Sequence, residues 1–198
     1  MFTINQPSTI IFGKYSAQDY KIPNDSLVVT SSGAKSRNWL EYVGLTDSYI
    51  YDNIESNPSI ETTEQIMSEF SDSNFSNVIG IGGGSVLDVA KFVAYKMKKI
   101  KIMIPTTFGS GSEVTRIAVL KVNGKKQSFH DDNIFADIAI VDPYFIHGTP
   151  EVIIKNSAID ACAQCTEGYD SKTSNNYTKF LCQKAFDILE NAILNEKY

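Results

Sequence analysis

Short apolar runs alternate with amphipathic stretches along residues 1–149 of the chain. Leu27 to Thr30 and Val78 to Ile81 are almost wholly apolar and short, which is typical of strands buried on both faces of a sheet. Ser36 to Val43 and Thr62 to Phe70 instead have the spacing of amphipathic helices. This alternation predicts βαβ units, and therefore an α/β fold built on a parallel, Rossmann-like sheet.

The same patterns predict the remaining elements of this region. They are strands at Ile10 to Gly13, Ser48 to Tyr51, Lys101 to Ile104 and Ile138 to Val141, a helix from Val86 to Met97, and a hairpin of Ile117 to Val122 with Lys125 to Phe129. Asn123 and Gly124, between the hairpin strands, favour a type I′ turn. Threonines at the start of the helix at Thr62 predict its amino-terminal cap.

The character of the sequence changes at Pro150. Beyond it, Glu151 to Glu167 and Asn176 to Ile193 have helical spacing, and no strand pattern follows. We therefore predict a nucleotide-binding α/β domain at residues 1–149, followed at residues 150–198 by the first helices of an incomplete, all-helical domain.

Composition narrows the classes of function. The chain has 198 residues and a net charge of −5, which argues against nucleic acid as a partner. No apolar stretch approaches the roughly 20 residues of a membrane helix, and Met1 to Gln6 lacks a basic and then apolar leader. These features predict a cytoplasmic protein. Cys162, Cys165 and Cys182 are an odd set without a second C-x-x-C pair, which favours reduced thiols over disulfides or a zinc site.

A glycine-rich turn follows the apolar run at Val78 to Ile81. Gly83, Gly84 and Ser85 stand between that predicted strand and a predicted helix, an order that suits phosphate binding. Glycines let the backbone approach an anion closely, and amides at a helix amino terminus donate to it. The alternative is that the glycines serve only a tight connection between strand and helix.

Two charged residues follow the glycine turn. Asp88 and Lys91 lie three and six residues after Ser85, in the first turns of the predicted helix. Polar side chains at these positions could reach a ligand of the turn. Otherwise they are ordinary surface charges.

Three segments together resemble the iron-containing (group III) alcohol dehydrogenase family. They are Gly82 to Ser85 with Asp88 and Lys91; Pro105 to Thr107 with Gly109 to Thr115; and Asp142-Pro143 followed by Asp160-Ala161 and Glu167 to Tyr169. The resemblance covers essentially the whole chain. It implies an α/β cofactor domain joined to a helical metal-binding domain, the latter truncated here.

The resemblance implies that the chain binds NADP or NAD. The residues implied to contact the cofactor are Gly83, Gly84 and Ser85 at the diphosphate, Asp88 just after them, Thr106, Thr107, Gly109 and Ser110 along the nicotinamide half, Asn57 at the adenine side, and Lys126. For Asn57, which precedes Pro58, a plain turn is the alternative.

Ser31 bears on the choice between the two cofactors. Family members selective for NAD often carry an acidic residue after the first strand, where it binds the ribose 2′-hydroxyl and repels a 2′-phosphate. Ser31 removes that repulsion, and Lys35 and Arg37 nearby offer positive charge, so we predict a preference for NADP. The alternative is that Ser31 only shapes a turn.

The metal site of the family is incomplete in this sequence. Relatives hold iron or zinc with one aspartate and three histidines, the first two ligands spaced Asp-x-x-x-His on one helix. The matching positions are Asp160 and Gln164, which share a helix face. An amide oxygen is a poorer ligand than imidazole, and His130 and His147 match no family ligand. The remaining histidines would follow residue 198, so we expect no complete catalytic set and doubt that a divalent metal binds.

Two functions of different classes stay open. The first is an alcohol dehydrogenase or aldehyde reductase that acts on a small, charged aldehyde, such as a semialdehyde or phosphonoacetaldehyde, with the chain truncated and inactive alone. The second is a catalytically dead nucleotide-binding or assembly subunit. Besides a small-molecule aldehyde or alcohol, the expected partner is a second copy or a protein that supplies the missing helices. The helices from residue 150 onward would otherwise expose an apolar face.

Overall fold

The computed structural model describes residues 1–45 and 47–194. Within them the chain forms two compact units. The sheet unit comprises Asn5–Thr106 and Gly111–His147. The helical unit comprises Met1–Ile4, Thr107–Ser110 and the residues from Gly148 onward.

The sheet unit is built on six parallel strands in the order β1-β8-β5-β4-β2-β3. The strands are β1 (Thr9–Phe12), β2 (Ser26–Thr30), β3 (Tyr49–Tyr51), β4 (Asn77–Gly82), β5 (Ile100–Pro105) and β8 (Ile138–Val141). The predicted parallel α/β fold is confirmed. Going along the chain from β2, β3 is added on one side, whereas β4, β5 and β8 are added on the other. The sheet therefore has a topological switch point between β2 and β4, where ligands of such folds bind.

Among the described residues of the sheet unit, four helices and a hairpin surround this sheet. They are α1 (Ser16–Asp19), α2 (Trp39–Tyr42), α3 (Ile60–Glu69), α4 (Gly84–Met97), and the antiparallel pair β6 (Ile117–Val122) and β7 (Lys125–His130). Three short 3₁₀ helices lie at Ser112–Val114, Asp132–Ile134 and Pro143–Ile146. The hairpin prediction is confirmed, because Asn123 and Gly124 have φ values of 50° and 77°, the positive values that a type I′ turn requires.

Two helix predictions need correction. The helix expected from Ser36 to Val43 is reduced to α2, because Asn38 adopts a left-handed conformation with φ 53° and interrupts it. The cap of α3 is Ser59, whose hydroxyl accepts the amide of Thr62 at 3.3 Å. Thr62 and Thr63 are already helical, so neither can serve as the cap.

The core lies on both faces of the sheet. Leu27 and Val29 pack with α3, α4 and the hairpin on one face, whereas Val28, between them, packs with α1 and α2 on the other. Every residue of β2 and β4 is buried. Because successive strand side chains point to opposite faces, strands covered by two layers read as continuous apolar runs.

The helical unit consists mainly of two packed helices, α5 (Glu151–Asp170) and α6 (Asn176–Leu194). Several large apolar side chains on them are exposed, among them Ile159 at 65% and Phe180 at 67%. The expected apolar face is therefore present. Among the described residues, none of the helices is long and apolar enough to span a membrane.

Candidate cofactor site

Three adjacent strands of the sheet unit end beside one another and lead into residues predicted to bind the cofactor. Thr30 of β2 pairs with Ile81 of β4, and Gly82 pairs with Pro105 of β5. The Thr30 hydroxyl donates to the Ile81 carbonyl at 2.7 Å, and the Thr106 amide donates to the Gly82 carbonyl at 3.0 Å. Ser31, Gly83 and Thr106 therefore follow neighbouring strands at the carboxyl edge of the sheet.

The glycine turn forms the amino terminus of α4. The amides of Val86 and Leu87 both donate to the Gly83 carbonyl, so the intrahelical bonds begin there. The amides of Gly84 and Ser85 precede them and have no acceptor among the described residues. Residues 83–85 are all partly exposed. Two bare amides at the positive end of a 14-residue helix suit an anionic group.

The structural constraints on the glycines of this segment differ from one position to the next. A Cβ atom at Gly82 would lie 2.6 Å from Cβ of Val86, and one at Gly80 would lie 2.8 Å from Cβ of Ala90. These two glycines let α4 pack closely on β4. Gly83 has φ −76° and ψ −178°, an extended conformation open to any residue, and Gly84 is helical. Backbone conformation therefore does not require glycine at positions 83 and 84, and the predicted close approach of an anionic ligand stays a prediction.

Asp88 and Lys91 are not surface charges. The Lys91 side chain is 0% exposed and that of Asp88 is 14% exposed, with 3.5 Å between Nζ and Oδ1. Asp88 accepts the Ser112 hydroxyl at 2.6 Å and the Val119 amide at 3.1 Å. Both side chains thus tie α4 to the segment that begins at Ser112, and binding of the cofactor by Asp88 stays a prediction.

The ammonium group of Lys91 donates hydrogen bonds to backbone carbonyls. It donates to the carbonyls of Ser112 at 2.8 Å, Thr115 at 3.2 Å and Ile117 at 2.5 Å. Burial lowers the pKa of Lys91, against the opposing effect of Asp88. Burial likewise raises the pKa of Asp88, although Lys91 and the hydrogen bonds to Ser112 and Val119 act to lower it.

Glu113 is the third ionisable residue of this cluster. Its Oε2 atom is buried and has no hydrogen-bond partner among the described residues. Burial raises the pKa of the Glu113 carboxyl, while its own amide and Lys91 partly offset the shift. The environment of Glu113 therefore favours the protonated form.

The turn after β2 carries two cations near Ser31. The Ser31 carbonyl accepts the Ala34 amide at 2.9 Å. The guanidinium of Arg37 lies across Gly33, since a Cβ atom built there would come within 2.9 Å of Arg37 Cζ, and it also stands 4.9 Å from the ring centre of Trp39. Lys35 instead pairs with Asp52 at 3.4 Å. Of the two predicted cations, Arg37 is thus the one that lies over the turn.

Asn57 lies one residue before a backbone contact with the hairpin, and Lys126 is part of the hairpin. Asn57 is exposed, has φ 55° and precedes Pro58, whose carbonyl accepts the Lys121 amide at 2.8 Å. Lys126, also exposed, is the cross-strand partner of Lys121. The left-handed conformation of Asn57 fits the plain-turn alternative, and contact of either residue with the cofactor stays a prediction.

The remaining predicted residues belong to the helical unit. Thr107, Gly109 and Ser110 lie in the short segment that groups with α5 and α6. Gly109 packs against α5, where a Cβ atom would lie 2.7 Å from the Ser157 carbonyl and 2.9 Å from Oδ2 of Asp160. The carbonyl of Gly109 accepts the side-chain amide of Gln164 at 2.8 Å. Asp160 and Gln164 therefore both face Gly109, as their spacing on one helix face predicts.

These donors do not fit a divalent metal on their own. Asp160 supplies one carboxylate, and the amide of Gln164 is engaged as a donor. Within the described part of the chain, no group of three His, Cys, Asp or Glu side chains could hold a metal ion. Cys162, Cys165 and Cys182 are free thiols, and burial raises the pKa of Cys165.

Asp142 organises another part of the carboxyl edge. It is buried and caps the 3₁₀ helix at Pro143–Ile146 by accepting the Tyr144 amide at 3.0 Å. It also accepts the amides of Tyr15 and Ala17, each at 3.2 Å, and the hydroxyl of Tyr42 at 2.8 Å. Burial and the Asp142 carboxylate raise the pKa of Tyr42. Sequence patterns identified the Asp142-Pro143 pair but not this hydrogen-bonding role.

The roles of Ser112 and Glu113 were not foreseen from the sequence either. The available signal was Lys91 itself, a charged residue within the apolar run from Val89 to Ala94. A lysine in that position needs buried acceptors. Which acceptors it finds is not visible in the local sequence, because they lie 21 to 26 residues away.

The fold and the glycine turn define an α/β protein of the Rossmann-like class. The pattern of the iron-containing alcohol dehydrogenases matches residues 7–143, and the chain belongs to that family. It is 33% identical over 155 residues to the 4-hydroxybutyrate dehydrogenase of Clostridium kluyveri, a match that covers 69% of this chain and 42% of the relative. It is 28% identical over 206 residues to the NADPH-dependent aldehyde reductase YqhD of Escherichia coli, covering 86% of this chain and 52% of the relative.

A solved structure agrees with this assignment. The iron-containing alcohol dehydrogenase of Thermotoga maritima superposes with a TM-score of 0.88 at 26% identity, covering 99% of this chain and 63% of the other. The chain thus spans about half the length of the two relatives named above.

Proposed function

We propose that this chain is the cofactor-binding part of an NAD(P)-dependent alcohol dehydrogenase or aldehyde reductase. The observation that carries the proposal is the glycine turn at the amino terminus of α4, where Gly84 and Ser85 offer bare amides and backbone conformation does not demand glycine at position 83. These groups would hold the diphosphate of the cofactor. The nicotinamide ring, when bound, supplies the hydride that reduces a carbonyl.

We further propose that the cofactor is NADP. Ser31 places no carboxylate after β2, and the Arg37 guanidinium lies over the same turn. An arginine there can pair with a 2′-phosphate through charge-assisted hydrogen bonds. The NADPH-dependent relative from Escherichia coli supports this choice.

For the substrate we propose a small aldehyde that carries a negative charge, such as a semialdehyde. The similarity to a 4-hydroxybutyrate dehydrogenase supports this class, because 4-hydroxybutyrate is an alcohol with a carboxylate. Phosphonoacetaldehyde, a phosphonate-bearing aldehyde, belongs to the same charged class.

Calorimetric titration of the purified chain with NADPH and NADH tests the cofactor proposal. We expect binding of both, with NADPH bound more tightly. Arg37→Ala should remove most of the difference, whereas Lys35→Ala, whose side chain is already paired with Asp52, serves as the matched control. A clear preference for NADH would contradict the choice of NADP, and no heat with either cofactor would contradict the function itself.

A second candidate is a nucleotide-binding or assembly subunit without catalytic activity. The bond from Gln164 to Gly109 favours it, because it engages as a donor the residue that matches a metal ligand in the family. Metal analysis and aldehyde-dependent oxidation of NADPH by the purified chain separate the two. Bound metal with measurable turnover would eliminate this candidate, whereas cofactor binding without metal or turnover would favour it.

A further inference from the structure

Lys91 is a fully buried cation whose donors all lead to one segment of the chain. An ammonium group has three N–H donors, and here they meet three carbonyls, those of Ser112, Thr115 and Ile117. Asp88, one helical turn earlier, holds the Ser112 hydroxyl and the Val119 amide. Two side chains of α4 thus fix the chain from Ser112 into β6.

The loop that follows β5 starts at Thr106, its outgoing end, and comes back to α4 at Ser112, its returning end. The outgoing end is fixed as well, because the Thr106 amide donates to the Gly82 carbonyl next to the glycine turn. Both ends of the loop are therefore anchored to β4 and α4, the strand and helix that form the turn. Thr106, at its start, is among the predicted contacts of the nicotinamide half.

We propose that Lys91 is a positioning residue of the cofactor site, which sets the affinity for the nicotinamide half by holding the returning end of this loop against α4. Lys91 acts through the carbonyls of Ser112, Thr115 and Ile117. This proposal rests on the function proposed above. Residues that orient the direct contacts of a ligand contribute to affinity because the contacts must be held close to the productive geometry.

A purely structural role for Lys91 makes a different prediction. Loss of a buried, hydrogen-bonded charge lowers global stability and so reduces the fraction of folded protein. The apparent affinity for all ligands of the site then falls by the same factor. A positioning role weakens only ligands that contact the loop. Comparing a dinucleotide with the same molecule lacking nicotinamide distinguishes the two.

The test is calorimetric titration of the whole chain with two matched pairs of ligands, NADPH with 2′-phospho-ADP-ribose and NADH with ADP-ribose. We expect Lys91→Met to lower the affinity for NADPH and NADH by about tenfold, as removal of supporting contacts commonly does. The affinity for 2′-phospho-ADP-ribose and ADP-ribose should stay unchanged. Equal weakening within each pair, or no change, would overturn the proposal.

Lys99 supplies the control variant. It follows α4 at its carboxyl end, and its ammonium donates to the Phe75 carbonyl at 2.6 Å while lying 5.0 Å from the centre of the Phe75 ring. Lys99→Met therefore removes the same kind of bond away from the loop, and it should change neither affinity. A selective loss of dinucleotide affinity in Lys99→Met would also overturn the proposal.

A milder variant keeps the test decisive if Lys91→Met does not fold, as judged by circular dichroism. Ser112→Ala removes the bond to Asp88 and leaves Lys91 in place. It should weaken the dinucleotides selectively but by less. Parallel weakening of dinucleotide and fragment, or none, would again overturn the positioning role. If the wild-type chain binds neither member of either pair, the proposed function fails first, and this inference fails with it.

Discussion

The side-chain amide of Gln164 donates a hydrogen bond to the carbonyl oxygen of Gly109, with a distance of 2.8 Å between nitrogen and oxygen. In this arrangement Gln164 acts as a donor toward the protein, rather than as an acceptor directed at a cation. Asp160, one turn earlier on α5, lies over the same glycine. The helix face that matches the metal ligands of the family is therefore used here to hold a short backbone segment.

Substitution of Gln164 tests whether it serves as a donor. Gln164→Ala should lower the free energy of unfolding by about 1 kcal/mol, the usual value of one hydrogen bond. Gln164→Glu should be at least as destabilising at neutral pH, because an ionised carboxylate cannot donate to a carbonyl. Urea unfolding measures both changes. If Gln164 were a ligand instead, Gln164→Glu would retain or increase bound metal in elemental analysis of the purified protein.

The neighbouring glycines Gly82 and Gly83 should respond oppositely to substitution. Gly82→Ala places a Cβ atom 2.6 Å from Val86 Cβ, so it should destabilise the fold by about 1–3 kcal/mol through overpacking. Gly83→Ser fits the extended backbone and supplies a favoured cap for α4, so stability should be kept or increased. The serine side chain would, however, cover the backbone amides of the turn, and it should weaken the binding of NADPH by about tenfold, or 1.4 kcal/mol.

Urea unfolding and calorimetry together measure both effects. A Gly83→Ser variant that keeps full stability and an unchanged cofactor affinity would contradict a ligand site at the turn. A destabilised Gly83→Ser with a stable Gly82→Ala would instead show that the packing argument is wrong.

Glu113 should make stability depend on pH. Burial raises the pKa of its carboxyl above the ordinary 4.5, so the folded protein favours the protonated form. The stability that comes from the neutral carboxyl is fully present below the ordinary pKa and is lost as pH rises through the pKa of the folded state. Glu113→Gln stays neutral, so its advantage in free energy of unfolding over the wild type should grow as pH rises above the ordinary pKa of 4.5, and level off above the pKa of the folded state.

Urea unfolding across that pH range is the measurement. Glu64→Gln, at an exposed position of α3, serves as the control and should show no such growth. A difference between Glu113→Gln and wild type that does not change with pH would contradict the assignment of a raised pKa.

Asp142 should be a major contributor to the stability of the sheet unit. Asp142→Ala leaves the amides of Tyr15, Ala17 and Tyr144 without their acceptor, and we expect a loss of about 3 kcal/mol. Tyr42→Phe removes only one of the four bonds and should cost about 1 kcal/mol. Thermal and urea unfolding check the order of the two, with exposed Asp72→Ala as the control near zero. Equal losses for Asp142→Ala and Asp72→Ala would contradict this role.

Local patterns were sufficient to predict the sheet and its strands. Runs such as Val78 to Ile81 specify strands buried on both faces, because every position must be apolar there, and the turn at Asn123-Gly124 specifies a hairpin. Helix boundaries were less certain. The helix predicted from Ser36 to Val43 is only the short α2, because Asn38 adopts a left-handed conformation that amphipathic spacing does not reveal.

Sequence patterns were enough to predict the succession of strands and helices along the chain, the glycine turn before α4 and the shared helix face of Asp160 and Gln164. Each depends on residues close along the chain, where backbone geometry converts spacing directly into position. That Lys91 is buried against the carbonyls of Ser112 to Ile117, and that Gly82 lies too close to Val86 to carry a Cβ atom, follows only from how separate elements pack. Those facts depend on atoms brought together from separate elements, and no local pattern encodes which partner a buried charge or a bare backbone surface will meet.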